Sequence, residues 1–299
     1  MPGLRRRAAA DPWAPLRGRH LLLVPTVAGP DQVDALVRCW YPQADLVGTG
    51  TADLDGVAAL HGPHDISTEA AVAAEVPTPW SVAYDLEVER SPRQPGEPPR
   101  RPDGLHRAFP DGLPTGAELA GLELLLALAR RLGGAVRPVG SRDALTPDHT
   151  TAVETRVVSP TWIRPADVAA VCAQEGEGVQ VAVGGDTSPE ALEAPDGTPF
   201  VVHLPMGPAG AVVVEGQVAE HPEPAVAGEP FGAGPMAVYD VRWVAPDEEW
   251  HLLEHLEGLA LACRERARRP MAAITRTLAE LGGGAIVDAD GFLVDRYQV

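Results

Sequence analysis

Apolar and polar positions alternate along one stretch of the chain, and the alternation returns once. Val82, Tyr84, Leu86 and Val88 interleave with Ala83, Asp85, Glu87 and Glu89, which predicts a strand over 81–89 with one apolar and one acidic face. Val238-Tyr239-Asp240-Val241-Arg242-Trp243 reads the same way, with Tyr239, Val241 and Trp243 taking the face of Tyr84, Leu86 and Val88. Each strand leads into a helical run that stops on Leu-Gly-Gly, at Leu132-Gly133-Gly134 and at Leu281-Gly282-Gly283. Asp85 and Asp240 stand 155 positions apart and Leu132 and Leu281 stand 149 apart, so the register nearly holds and a duplicated strand-helix-strand unit is expected.

The other elements follow from the same reasoning. His20 to Val24 reads as a buried first strand, and Pro30 opens a helix on Val33, Leu36, Val37 and Trp40 that Pro42 stops. Ala44 to Val47 is expected as a second strand. Residues 48–79 carry little periodicity beyond a short helix at Thr68 to Ala74, and 91–114 read as a long Pro- and Gly-rich loop. Leu119, Leu122, Leu126 and Ala129 make one stripe of a helix over Ala117 to Leu132, after which 137–152 read as a linker.

In the second half Pro165, Val168 and Val171 repeat Pro30, Val33 and Leu36 at a constant offset of 135, and Val179 to Val183 answers Ala44 to Val47. Phe200 to Leu204 and Ala211 to Val218 read as an added hairpin. Glu248 to Arg268 is expected as an amphipathic helix broken at Pro270 and resumed from Met271 to Leu281. A final strand is expected at Ala285 to Val287, with Phe292 to Val294 folding back on it.

The expected fold class is α+β. Two tandem ferredoxin-like (split βαβ) units would each place an antiparallel sheet under helices on one face, with a flexible arm over 1–18, the first unit over 19–146 and the second over 153–299. Uncovered sheet faces would then shelter each other about a pseudo-twofold axis.

Length agrees with two cores: 299 residues suffice for two ordinary domains. A net charge of −18 repels phosphate backbones and anionic lipid, so neither nucleic acid nor a membrane is expected as partner. All 24 basic residues are arginine, a feature of codon usage, not of function. Cys39, Cys172 and Cys263 lie far apart with no C-x-x-C pair, which suggests neither a disulfide framework nor a thiolate metal site. The apolar run Leu21 to Val24 is too short for a signal sequence, and a cytoplasmic, soluble chain is expected.

Four constellations carry candidate chemistry. His251-Leu252-Leu253-Glu254-His255 is an H-x-x-E-H pattern, which on a helix sets both histidines on one face with a glutamate between them. It resembles the inverted zincin signature of the insulin-degrading peptidase family. That resemblance implies zinc held by His251 and His255 with Glu254 as general base; Glu257, Glu265 and Glu280 are the candidates for a third ligand. The plainer reading is an amphipathic helix with two histidines at the core edge.

His61-Gly62-Pro63-His64-Asp65 is a compact His/Asp cluster, expected in a loop, that suits a metal or a proton shuttle or is simply polar. Asp85 and Asp240 either meet as a coupled carboxylate pair or lie solvated on exposed sheet faces. Trp80, Trp162 and Trp243 either line a ligand cleft between the halves or fill the core. No Walker loop, no G-x-G-x-x-G after a strand and no G-x-S-x-G is present; the phosphate readings drop out, and Ser, Cys and His are too scattered in sequence to nominate a triad. The function expected is a non-catalytic binding or regulatory module with a protein or small-molecule partner and no cofactor. The alternative is a zinc-dependent hydrolase on 251–255.

Overall fold

The computed structural model describes residues 16, 18–66, 80–94, 104–141, 144–148, 154–221, 223–232, 234–253 and 255–295. They form two antiparallel sheets and six α-helices. The chain divides into two compact units, one before Asp148 and the other from Asp148 onward together with Leu36–Pro42. Among the described residues no helix is long and apolar enough to cross a membrane.

Before Asp148 the chain runs β1 (His20–Val24), α1 (Pro30–Trp40), α2 (Leu46–Thr49), β2 (Thr51–Leu54), β3 (Ala58–Asp65), β4 (Val82–Val88), α3 (Leu105–Ala108), α4 (Gly116–Leu132) and β5 (Ala135–Arg137). The sheet order is β2-β3-β4-β1-β5, and every ladder in it is antiparallel. β1 is buried along its whole length, because it has a neighbour on each side and α4 across one face. α4 lies so close to the sheet that a Cβ on Gly121 would come within 2.6 Å of Leu86 Cδ2. It is also buried more completely than its one-stripe pattern predicts, with Leu124 to Ala129 all enclosed.

The second unit runs β6 (Thr155–Ser159), α5 (Pro165–Glu175), β7 (Gln180–Val183), β8 (Phe200–Pro205), β9 (Ala211–Ala219), β10 (Met236–Val244), α6 (Gly258–Gly282), β11 (Ala285–Asp288) and β12 (Leu293–Val294). Its sheet is ordered β12-β11-β6-β10-β9-β8-β7, again antiparallel throughout. α5 and α6 bury Val168, Val171, Ala267, Ile274 and Leu278 in one cluster with Val157, Val214 and Tyr239 from the sheet. Trp162 packs edge-on to Phe200 at 5.6 Å between ring centroids.

Several expectations change. Ala44 to Val47 is not a strand. Asp45 caps a helical turn there by accepting from Gly48 N–H, and Asp34 Oδ1 accepts from Leu46 N–H at 2.6 Å, so the backbone is satisfied without a sheet. The poorly patterned stretch instead holds the β2–β3 hairpin, turned by Asp55 and Gly56 at φ 58° and 71°, the left-handed pair that matches strand twist.

Part of the presumed linker belongs to the first sheet, since Val136 and Leu145 bridge. The arm expected over 1–18 lies largely outside the described residues, and Leu16, which is described, is buried against Leu21 and Leu23. The helix expected at Thr68 to Ala74 lies outside them entirely. The continuous helix from Glu248 is replaced by a 3₁₀ turn over Glu248–Leu252 and a separate α6. Pro270 sits inside α6 without ending it, because Ala267, Met271 and Ile274 hold that turn in the core.

The strand order also departs from the four-strand split βαβ. The strands between the two long helices form a meander, β2-β3-β4 in the first unit and β7-β8-β9-β10 in the second, and the last of them lies antiparallel beside the first strand of its unit.

Two glycines set how closely the last helix of each unit meets its first strand. A Cβ on Gly134 would run into the Leu23 carbonyl oxygen, and one on Gly284 into the Val158 carbonyl oxygen. Gly134→Ala and Gly284→Ala are each expected to lower stability by about 1–3 kcal/mol, measured by urea unfolding followed through tryptophan fluorescence.

Candidate functional site

Two polar clusters flank the central strands of the first sheet, one on each face. On the helix-covered side His20 and Glu118 are both fully enclosed. Thr115 and Glu118 stand at the N-cap and third position of α4, the spacing at which a glutamate reaches back to cap its own helix. Here Ser91 is inserted into that arrangement: Thr115 N–H donates to Ser91 Oγ at 2.7 Å, and Ser91 Oγ–H and N–H both donate to Glu118 Oε2, at 3.0 and 2.7 Å. Arg90 Nη1 and Arg93 Nη2 donate to Glu118 Oε1 at 3.2 and 3.1 Å. Arg93 also stacks over Phe109, 4.4 Å from the ring centroid.

His20 Nδ1 accepts from Val139 N–H at 3.0 Å, which leaves the ring proton on Nε2; that nitrogen lies 3.2 Å from Glu118 Oε1 and also against Arg90 Nη1. Burial and the neighbouring Arg90 charge push His20 down to about 4, so the ring is neutral. Burial alone would raise Glu118, but the hydrogen bonds from Ser91, Arg90 and Arg93 outweigh it and hold the carboxyl down at about 2. This cluster is saturated. Its carboxylate has five donors and no face left for a substrate.

The opposite face carries Arg19, Thr51, His61, His64, Asp85 and Glu87. His61 and Asp85 are cross-strand partners, and so are Thr51 and His61. Residues three apart on a regular strand point to opposite faces, yet His61 faces Asp85 and His64 faces Ala83 because the register shifts by one residue between them. Gly62 sits in that irregularity at φ 141°, where a Cβ would lie 2.7 Å from the Tyr84 ring. Both histidines therefore reach the same face: His64 Nε2 meets Asp85 Oδ1 at 2.7 Å, and His61 Nε2 meets Glu87 Oε2 at 3.1 Å. Arg19 joins the two carboxylates, 2.5 Å from Asp85 and 2.8 Å from Glu87.

Burial would raise the Asp85 carboxyl, but the hydrogen bonds from His64 and Arg19 reverse this and hold it below the usual carboxylate range. Asp85 is thus neither exposed nor solvated, at 2% side-chain exposure. His61 Nδ1 also meets Thr51 Oγ1 at 3.0 Å, which completes a hydroxyl–imidazole–carboxylate chain. Its layout is that of an activated nucleophile, but Glu87 is 58% exposed and shared with Arg19, and the Thr51 N–H is already bonded to Thr49 Oγ1. The chain acts as a cross-strand polar ladder.

The remaining candidates separate. Asp240 is held by Arg156, whose Nε donates to it at 2.5 Å, so each of the two aspartates has its cation within its own unit. The five residues of H-x-x-E-H do not share a helix, since the 3₁₀ turn ends at Leu252 and Leu253 is extended. Glu254 lies outside the described residues. His255 is exposed, with Nδ1 4.0 Å from Asp148. Among the described residues no group of three His, Cys, Asp or Glu is placed to hold a metal ion. The tryptophans are engaged within their own units: Trp80 Nε1 donates to Gly133 O at 3.3 Å, Trp243 Nε1 to Ala209 O at 2.8 Å, and Trp162 stacks near Tyr239. Burial pushes the Cys172 thiol up to about 12, far from a reactive thiolate.

Sequence reasoning missed Arg19, His20, Arg90, Arg93 and Ser91. Only the Thr115-x-x-Glu118 spacing offered a signal, because the others converge across the sheet from distant positions. It also missed a shallow concavity of about 170 Å³ on the face of the second sheet away from its helices, lined by Arg156, Gln217, His221 and Glu223 together with Val158, Met236 and Val238.

The first cluster makes the first unit acid-sensitive. Above pH 6.5 its contribution is complete; as pH falls from 6.5 towards about 4 the unfolded chain protonates His20 before the native state does, and stability is lost. The loss continues through Glu118 between 4.5 and about 2. The His20 step is worth roughly 3 kcal/mol, and His20→Asn is expected to flatten the slope of unfolding free energy against pH between 6.5 and 4 while leaving the slope below it. Elemental analysis after metal-replete purification is expected to find less than about a tenth of an equivalent of zinc, the level at which a three-ligand site on 251–255 is untenable. No protein-family model, curated protein or solved structure matches the chain.

Proposed function

We propose that the chain is a non-catalytic cytoplasmic binding or regulatory module built from two related α+β units, with a small molecule or a protein as partner. Kinship of the units is supported by their strand orders. The second sheet from β8 to β11 reads β8-β9-β10-β6-β11, with the same roles as β2-β3-β4-β1-β5. On this match the β8–β9 hairpin answers β2–β3 and is not an insertion.

Tyr84 lies opposite Leu22 and Tyr239 opposite Val157, both tyrosines are fully buried, and Gly134 and Gly284 make the same approach to a carbonyl of the first strand. What differs is polar. His20 and Thr155 are equivalent in the ladder, opposite Leu86 and Val241, but His20 joins an ionic cluster while Thr155 Oγ1 pairs with Thr275 Oγ1 at 2.6 Å. Packing, not shared chemistry, ties the copies together.

The observation that carries binding over catalysis is the concavity on the second sheet. It combines an apolar floor with a charged rim, and its described lining contains no Ser, Thr, Cys or Tyr to serve as a nucleophile. The histidines and carboxylates of the first unit are meanwhile closed on one another. Thermal-shift screening of purified protein against a metabolite library is expected to give at least one rise in Tm of about 2 °C or more, with no turnover of ester, phosphate or peptide substrates. Turnover that survives further purification overturns the reading, as does a screen in which nothing binds.

A further inference from the structure

The floor of the concavity is dry side chain: Val158, Met236 and Val238 are exposed at 1, 2 and 5%. Arg156 stands at its rim and holds two carboxylates in different ways. Asp240 lies directly opposite on β10, so the sheet itself fixes the bond from Arg156 Nε and aims the guanidinium. Glu223 bonds Arg156 Nη1 from outside the sheet, on the segment that joins β9 to β10, next to the 3₁₀ turn Pro224–Val226. Nη2 makes no hydrogen bond among the described residues.

We propose that this concavity binds a small molecule that carries one carboxylate on a short apolar tail, and that the ligand carboxylate replaces Glu223 on Arg156. The inference rests on the binding reading above and names its site and ligand class. Glu223 already shows what the guanidinium accepts. A planar carboxylate fits its fork, and Nη1 and Nη2 together offer the two-point contact that Glu223 leaves half used. The exchange is of like for like: one carboxylate leaves for water as another arrives, so the local charge is unchanged although the chain carries −18 overall.

A neutral ligand would leave the Glu223 pair standing, and a protonated amine could take Glu223 only by parting it from Arg156. A multiply charged anion would face Asp240 as well. The tail takes the floor, where Gln217 and His221 are the other polar groups of the lining. Glu223 then acts as an internal competitor that weakens the apparent affinity by the fraction of time it occupies Arg156.

The test uses the full chain and three probes with one tail: isovalerate, 3-methylbutylamine and 3-methylbutanol, followed by saturation-transfer NMR and titration calorimetry. Isovalerate is expected to bind and the other two are not. Glu223→Gln, which removes the competitor, is expected to tighten isovalerate about tenfold, whereas Arg156→Gln abolishes binding. Circular dichroism and Tm establish that each variant folds; if Arg156→Gln does not, the gain in Glu223→Gln decides alone.

Unchanged or weaker isovalerate binding in Glu223→Gln overturns the proposal, as does equal binding of the amine or the alcohol. No binding of isovalerate to either wild type or Glu223→Gln also overturns the ligand class. The broader binding reading falls only if the library screen finds nothing, so the two failures are distinct.

Discussion

A strand with neighbours on both sides has no freedom in where its side chains go. In β4 and β10 the tyrosine of the Tyr-Asp pair turns into the helix-covered core, and the aspartate must then emerge on the other face, in the middle of a sheet. A carboxylate placed there is stable only with a cation beside it. Both units meet the demand with arginine, by different routes. Arg19 lies just ahead of β1 and reaches diagonally to Asp85, while Arg156 lies directly across from Asp240. The surrounding polar groups are arranged about these two pairs: His64, Glu87 and His61 in the first unit, Glu223 in the second.

The two units have used this requirement differently. In the first the ionic ladder is closed, and the other side of the same strands holds a second closed cluster around Glu118. That carboxylate is buried in the first turn of a helix, where the Ser91 N–H and hydroxyl and two guanidiniums compensate the loss of water. Its neighbour His20 is neutral and cannot add a charge without cost. In the second unit two threonines stand at the equivalent place, and polar groups gather at the edge of a concavity.

What was legible in the sequence was whatever depends on local period and local backbone. The Tyr-Asp strands alternate strictly, and Gly133 and Gly283 stop their helices at φ 65° and 64°, which little besides glycine adopts. Asp55-Gly56 is an equally local hairpin signal, but it stands between short strands of Ala, His and Gly whose alternation is weak. Ala44 to Val47 looks apolar enough for a strand, and only the carboxylates of Asp34 and Asp45 decide for a helical turn. The H-x-x-E-H pattern was read on the premise of a continuous helix, which the 3₁₀ turn removes. The site residues were largely hidden, because a contact such as His64 with Asp85 depends on the pairing register of two strands and leaves no trace in spacing.

That register has a further meaning. With the histidines three apart, the shift in β3 is what keeps both out of the helix-covered interior, so the strand tolerates changes of side chain more readily than added length. Losing one of the two residues between them would leave the histidines two apart on a regular strand and still on one face, whereas adding one with the irregularity in place would turn an imidazole towards the leucines. In a lineage of such chains, single-residue insertions would be excluded from this stretch of the hairpin's second arm, whereas a single loss between the histidines would pass.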